Sequence, residues 1–274
     1  MGGGRDFTGQ TIYKRVNGRY IRQVPYKKDI LQISSLEITD SYKVDTSKKQ
    51  ITINNISKTK NFSQLESELE KTFGYVEITQ QLRKYGNFEL VKSGMVAVER
   101  MTKLFPMLKN SGLIMRMDGG SREAISGIDF DNNLHFYYNF FKKDNPESIF
   151  GNGKYHPKNF SYEQVIAHEL GHKLELIFLQ KVYPKVTDRQ LKALFQTHEG
   201  FTYISKVMYQ KLYNKGYRGH ATEMMKAVSG YAKKNWAEFG AEAIGDVYSN
   251  GSKASSVSQL FVLTLLEEFD KLNN

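Results

Sequence analysis

Two histidines four residues apart flank a glutamate in the stretch His168-Glu169-Leu170-Gly171-His172. On a helix this spacing places both imidazole rings on one face, where they can bind the same metal ion. Glu169 lies about 100° around the helix from His168, close enough to take a proton from a water molecule on that metal. The pattern therefore predicts a zinc site for peptide hydrolysis, with His168 and His172 as ligands and Glu169 as general base.

A catalytic zinc needs a third protein ligand beside an open position for water. The chain has no cysteine, which leaves histidine and carboxylate side chains as the candidates. No histidine follows the motif at the short spacing of its extended forms. The remaining histidines are His135, His156, His198 and His220. We interpret His156 as part of a loop, and we expect His198 and its neighbour Glu199 to point in different directions on a helix.

Carboxylates at four-residue spacing offer a better source of the third ligand. Glu238, Glu242 and Asp246 share one face of a predicted helix, and Asn235 is a good N-cap that places Glu238 in its first turn. Small and apolar residues between them indicate a packed helix rather than a solvated acidic face. Helical geometry alone leaves open which of the three binds the metal.

The helix that carries the motif is predicted to pack into a core. Ser161 is a suitable N-cap and Pro184 ends the pattern. Its apolar stripe consists of Ile166, Leu170, Leu174 and Ile177. Upstream, residues 113–117 and 134–138 have the character of β-strands between turn residues. We predict that the run 134–141 is an edge strand with which an extended substrate pairs.

Helical patterns dominate the rest of the chain. One begins at Phe62 and ends at Gly74, and another covers 98–108. The C-terminal half contains four more, at 188–212, 221–231, 236–248 and 256–272. Two strands, a packed metal-binding helix and a helical C-terminal half together predict an α+β fold.

The first 60 residues differ from the remainder. Residues 1–60 are predicted to be an N-terminal extension or a small β-rich module, and residues 61–274 the main domain. The extension is basic and β-leaning, and Ile51, Ile53 and Ile56 predict a short strand in it. It carries no recognisable chemistry and is a candidate arm for docking on a partner.

Composition narrows the function classes. The net charge is +10, but the lysines are spread along the chain, which argues against specific nucleic-acid binding. No apolar run reaches the ~18 residues that a membrane span needs. Residues 1–15 lack the apolar core of a secretory signal, so neither export by that route nor a membrane span is expected.

A second motif follows the first, in the string Tyr231-Ala-Lys-Lys-Asn-Trp-Ala-Glu238-Phe-Gly-Ala-Glu242-Ala. Together the two motifs resemble those of the anthrax lethal factor-like zinc metallopeptidases. That group includes the Pro-Pro endopeptidases and domains encoded by phages and mobile elements, among them minor head proteins. The resemblance covers residues from about 155 to 250, and it is specific because two separated motifs agree in type, order and internal spacing.

The resemblance implies a zincin-like metallopeptidase domain from about residue 61 to 274, with a small mixed sheet, an active-site helix and a helical C-terminal half. It implies that Glu238 is the third ligand of a single catalytic zinc ion. It implies that Glu242 supports the ligands from outside, and that the Tyr231 hydroxyl stabilises the oxyanion. A peptide or protein is the implied substrate, and a cytoplasmic or virion-associated location is expected.

The leading expectation is thus a zinc-dependent endopeptidase of the gluzincin type. The alternative is a structural or minor virion or mobile-element protein that retains a zincin domain with restricted or no proteolysis, and whose partner is a phage particle or a host protein. Glu169 and Tyr231 favour the enzyme, because a purely structural protein has no physical need for them. A single-strand nucleic-acid binder is a third reading, supported only by positive charge and aromatic content.

Overall fold

The structure, a computed structural model, describes residues 13–16, 19–22, 55–119, 124–142 and 161–273. These residues form an α+β fold in which helices pack around a small mixed sheet, which confirms the predicted fold class. Within those ranges, no helix combines the length and the apolar character that a membrane span requires.

The described helices share one numbering along the chain. They are α1 (Phe62–Phe73), α2 (Gln80–Tyr85), α3 (Phe88–Met95), α4 (Ala97–Leu104), α5 (Tyr138–Phe141), α6 (Tyr162–Val182), α7 (Asp188–Gln196), α8 (Glu199–Asn214), α9 (Ala221–Val228), α10 (Trp236–Asn250) and α11 (Ser256–Asn273). Short 3₁₀ turns lie at Ile56–Lys58, Pro106–Leu108, Tyr231–Lys233 and Gly251–Lys253. The described strands are β1 (Tyr13–Val16), β2 (Arg19–Arg22), β3 (Val76–Ile78), β4 (Leu113–Asp118), β5 (Ser126–Ile128) and β6 (Asn133–Tyr137).

The strands form two separate sheets. β1 and β2 pair antiparallel, and the four-stranded sheet has the order β3-β4-β6-β5. β3, β4 and β6 are parallel, whereas β5 runs antiparallel to β6. Because β6 has a hydrogen-bonded strand on each side, the predicted edge strand at 134–141 is wrong. The strand ends at Tyr137, the next residues form α5, and the outer strand on that side of the described sheet is β5.

One face of the sheet belongs to the core. β4 alternates buried and half-buried residues, and its buried members Leu113, Met115 and Met117 join Leu134 and Phe136 of β6 in one hydrophobic cluster. This alternation is the reason why the two strands are recognisable in the sequence.

The predicted strand around residue 56 is not formed there. Ile56 lies in a 3₁₀ turn and packs into the main core, while Ile51 and Ile53 lie outside the described residues. Near the start of the chain, β1 and β2 pair in register from Tyr13 with Arg22 to Val16 with Arg19. Residues 23–54, the larger part of the predicted extension, lie outside the described residues.

Several predicted helix limits are correct. α1 begins after Asn61, whose side chain accepts a hydrogen bond from the Gln64 N–H, and it ends at Gly74 with a φ of 76°. The predicted helix over 98–108 is shorter, because α4 ends at Leu104 and Pro106 begins a 3₁₀ turn.

The predicted helix over 188–212 is wrong, since two helices occupy this stretch. α7 ends at Gln196, and His198 has a φ of 59°, a left-handed conformation that interrupts the helix before α8 begins. The predicted helix over 221–231 likewise ends early, at Val228, and Tyr231 belongs to a separate 3₁₀ turn. α10 and α11 begin where the sequence predicts.

α6 is the central helix of the fold. Ser161 and Gln164 form a capping box at its start, and the helix ends at Val182, before Pro184, as predicted. Its apolar stripe is buried, but the other faces are largely buried too, because α6 contacts β5, α3, α4, α8 and α10. The helix therefore has little freedom to shift relative to its neighbours.

A buried lysine anchors α6 to the sheet. Lys173 is 0% exposed, and its Nζ donates to the carbonyl oxygens of Ser111 and Gly112 at 3.2 and 2.7 Å and to Oδ1 of Asn132 at 2.5 Å. These acceptors lie just before β4 and β6. Burial lowers the pKa of Lys173 to about 7. Because Lys173 follows His172 directly, these hydrogen bonds also fix the position of the motif relative to the sheet.

A buried glutamate joins α6 to α8. Glu175 is 0% exposed, and its Oε1 accepts a hydrogen bond of 2.9 Å from the Phe201 N–H in the first turn of α8. Its Oε2 has no hydrogen-bond partner among the described residues. Burial raises the pKa of Glu175 to about 8, although the bond from Phe201 opposes the rise.

We expect Glu175→Gln to flatten the pH dependence of stability. A carboxyl whose pKa rises on folding, here from 4.5 to about 8, stabilises the fold in its protonated form. The contribution of Glu175 to the free energy of unfolding is fully present below the pKa of the unfolded state. As the pH rises toward the folded pKa, this contribution declines by up to ~1.4 kcal/mol per pH unit. The amide keeps an acceptor for Phe201 and carries no charge. Urea unfolding between about pH 5 and about pH 8 measures the slope.

The control is Glu89→Gln on α3, whose side chain is 66% exposed and which should keep the wild-type slope. Equal slopes for wild type and Glu175→Gln would show that the buried carboxyl does not titrate in this range.

Candidate metal centre

The two histidines of the motif lie one turn apart on the same face of α6. Nε2 of His168 is 3.2 Å from Nε2 of His172, and the ring planes are inclined by 79°. Both side chains are largely buried, at 11% and 15% exposure. Two nitrogen atoms from one helix thus converge on one point, as the four-residue spacing predicts.

A carboxylate from the first turn of α10 meets the histidines. The Asn235 side chain accepts a hydrogen bond of 2.8 Å from the Glu238 N–H, which confirms the predicted N-cap. Oε2 of Glu238 lies 3.1 Å from Nε2 of His168 and 3.5 Å from Nε2 of His172. Glu238 therefore joins the cluster of His168 and His172, although it follows His172 by 66 positions in the chain.

The geometry of this cluster fits a zinc ion. The three ligand atoms are separated by 3.1, 3.2 and 3.5 Å. Ligand atoms of a tetrahedral zinc site, with bonds of about 2.0–2.1 Å, lie about 3.3 Å apart, and a catalytic site leaves the fourth corner to water or substrate. In the part of the chain that the structure describes, His168, His172 and Glu238 are the one such group of three potential ligands.

The charges of the cluster compensate one another. Burial lowers the pKa of His168, but Glu238 and Glu242 outweigh this effect and raise the pKa to about 10. Burial raises the pKa of Glu238, whereas His168 and His172 bring it far below its usual range. Because a metal binds the neutral imidazole, zinc binding must displace a proton from His168.

Glu242 lies behind the first histidine, one turn after Glu238 on α10. Its buried carboxylate places Oε1 3.0 Å from Nδ1 of His168, off the line of an ideal hydrogen bond. A carboxylate in this position orients the imidazole and directs its other nitrogen toward the metal. Glu242 thus lies beside the imidazole of His168, in the supporting position that the resemblance implies for it.

Glu169 is buried beside the histidines. Burial raises its pKa, while the charges of His168 and His172 lower it. His135 on β6 also lowers the pKa of Glu169, so the glutamate lies within electrostatic reach of the sheet. A partly desolvated carboxyl of this kind is suited to accept a proton and return it.

Tyr231 also lies near the cluster, in the 3₁₀ turn before α10. Its ring centroid is 6.1 Å from that of His168. Burial and then the charge of Glu238 raise the pKa of Tyr231, while Lys234 opposes the rise. The phenol therefore stays protonated at neutral pH and can donate a hydrogen bond.

Two other sequence candidates have partners of their own. His135 contacts Asp118 through Nδ1, and its Nε2 lies 3.1 Å from Oδ2 of Asp129, so both ring nitrogens are engaged away from the cluster. Asp246 lies farther along α10, where it accepts hydrogen bonds from Asn250 and the Ser255 N–H. Neither joins the three ligand atoms.

Neither of the other two histidines in the described residues belongs to the ligand group. His198 is the N-cap of α8 and not a residue within a helix as predicted, and burial and then the charge of His172 lower its pKa. His220 is the exposed N-cap residue before α9. His156 lies outside the described residues.

Sequence reasoning missed one residue of the cluster, Lys234. Its Nζ lies 3.2 Å from the Tyr231 hydroxyl and 3.2 Å from Oε1 of Glu238. The signal was present, because Lys234 follows Tyr231 by three positions and precedes Glu238 by four. This spacing carries little weight by itself, because lysines are spread along the whole chain.

Comparison of the chain with protein-family models, with curated proteins and with solved structures finds no match.

We expect the wild type to bind one equivalent of zinc and Glu238→Gln to bind it far more weakly, because the amide cannot supply an anionic ligand. Glu242→Gln should lose about 10- to 100-fold in affinity, the usual cost of removing a carboxylate behind a ligand histidine. Competition with a chromophoric chelator measures both values.

The exposed Glu89→Gln is the matched control and should bind zinc like the wild type. Unchanged affinity in Glu238→Gln would remove this residue from the ligand set.

Proposed function

We propose that this protein is a zinc-dependent endopeptidase with a zincin-like fold. The observation that carries the proposal is the approach of Glu238 Oε2 to both histidine Nε2 atoms, at 3.1 and 3.5 Å, beside the buried Glu169. Two neutral nitrogens and one carboxylate oxygen form a donor set typical of catalytic zinc.

The resemblance to the anthrax lethal factor-like peptidases supports the proposal. The three residues to which it assigns roles all surround His168: Glu238 and Glu242 lie 3.1 and 3.0 Å from its two ring nitrogens, and Tyr231 packs near its ring. The residues that the sequence pattern singles out are therefore neighbours in the fold, which supports the proposal.

Each residue would have a distinct part in hydrolysis. His168, His172 and Glu238 would hold a zinc ion, which supplies a Lewis acid that acidifies water. Glu169 would accept the proton of the attacking water and return it to the leaving amine. The Tyr231 hydroxyl would donate a hydrogen bond to the oxygen on which negative charge develops. Glu242 would hold the His168 ring in orientation.

We place the substrate along β5. This short strand is one of the two outer strands of the described four-stranded sheet, and it contacts α6, the helix of the motif. An extended peptide can add to the free edge of a sheet through main-chain hydrogen bonds. β5 thus takes the role that the sequence had suggested for the run 134–141.

We expect Glu169→Gln to retain zinc and to lose peptide cleavage. The amide has nearly the same shape but cannot accept the proton, and loss of a general acid–base lowers kcat by about 10²–10⁴-fold. Mass spectrometry of a peptide library after incubation measures cleavage, and metal analysis of the same samples measures zinc.

Undiminished cleavage by Glu169→Gln would contradict its role as general base. Absence of cleavage by zinc-loaded wild type across broad libraries would favour the alternative of a structural protein of a phage or mobile element.

A further inference from the structure

Lys234 connects two functional groups of the candidate site. It lies between the 3₁₀ turn that contains Tyr231 and the N-cap Asn235 of α10. Its Nζ donates to the Tyr231 hydroxyl at 3.2 Å and to Oε1 of Glu238 at 3.2 Å, and it lies 5.1 Å from the centroid of the tyrosine ring. One ammonium group therefore bridges the tyrosine and the carboxylate ligand.

The two oxygens of Glu238 have different environments as a result. Oε2 faces both histidine Nε2 atoms, whereas Oε1 accepts the hydrogen bond from Lys234. A carboxylate can bind a metal through one oxygen or through both. With Oε1 directed to the lysine, Glu238 would offer one oxygen to a metal, and a fourth position would remain for water or substrate.

The tyrosine hydroxyl is directed as well. Its oxygen accepts the bond from Lys234, and a phenol has a single hydrogen to donate. Because the lysine is a donor and not an acceptor, that hydrogen cannot point at Nζ. The ammonium therefore restricts the directions in which the hydroxyl can donate.

We propose that Lys234 is a positioning residue of this site, which would keep Glu238 bound to the metal through one oxygen and orients the Tyr231 hydroxyl. The inference rests on the proposed function. Nothing in the motifs that resemble the metallopeptidases assigns Lys234 a role.

An ordinary surface ion pair is the competing interpretation. The Lys234 side chain is 59% exposed, and exposed pairs four residues apart on a helix contribute little to stability. Stability therefore does not distinguish the two interpretations. The two interpretations differ in what they predict for the coordination of the metal and for the rate of the chemical step.

The test compares wild type, Lys234→Met and Lys234→Arg after substitution with Co²⁺, whose visible absorption weakens as its coordination number rises. We expect Lys234→Met to absorb less strongly, because Glu238 is free to bind through both oxygens, and Lys234→Arg to restore the spectrum. The control is Lys233→Met, which removes the same charge from an exposed neighbouring position and should match wild type.

Peptide hydrolysis gives the second readout. We expect Lys234→Met to lower kcat by roughly 10- to 100-fold with little change in KM, the size of effect that a misplaced catalytic group produces. The loss should be smaller when Tyr231→Phe is already present, since only the effect of the lysine on Glu238 would then remain.

Distinct results separate the two proposals. An unchanged Co²⁺ spectrum in Lys234→Met, or a kcat loss that adds fully to that of Tyr231→Phe, overturns the role of Lys234. Failure of the wild type to bind Co²⁺ or Zn²⁺ overturns the metal site itself and the role of Lys234 with it. If the wild type binds Co²⁺ but cleaves no peptide, the result contradicts only the proposed function. In that case the comparison of Co²⁺ spectra still tests the role of Lys234.

Discussion

The close contact between α6 and α10 is the constraint on which the candidate site depends. A Cβ added at Gly171 would lie 3.1 Å from Cα of Ala241 and 3.3 Å from Cδ1 of Ile244, so the helices meet almost backbone to backbone. Such an approach requires a small residue. Gly171 lies inside the motif and Ala241 one turn after Glu238, and the same contact that packs the core therefore brings the carboxylate to the histidines.

The buried charges of the site explain why its geometry is well defined. Isolated charges are costly to bury, and a buried pair is tolerated only when its hydrogen bonds are satisfied. His168 faces a carboxylate on each ring nitrogen, Glu238 and Glu242, and both belong to α10. The ring is consequently held in one orientation by groups on a single rigid element, and a zinc ion bound there would exchange with a proton rather than reorganise the side chains.

Sequence reasoning succeeded where a local pattern determines the outcome. The α+β class, the strands β4 and β6, the start of α6 and the N-cap Asn235 follow from periodicity and capping. The convergence of Glu238 on the motif was available only from the resemblance, because helical spacing treated Glu238, Glu242 and Asp246 alike. The structure separates them by their place along α10.

The failures have physical causes as well. β6 is internal because β5 pairs with it, and β5 has three residues with Gly127 at its centre, too short and too weakly β-forming to be recognised. The interruption between α7 and α8 depends on a left-handed backbone at His198, which histidine adopts infrequently. Burial around α6 reaches beyond its apolar stripe because charged residues such as Lys173 and Glu175 find partners within the core.

The central claim is that His168, His172 and Glu238 bind one zinc ion, and anomalous diffraction on either side of the zinc absorption edge tests it most directly. Crystals grown with one equivalent of zinc should show a single strong peak about 2.0–2.2 Å from Nε2 of both histidines and from Oε2 of Glu238. A peak elsewhere, for example at His135 with Asp118 and Asp129, or the absence of a peak at the three residues, would contradict the account.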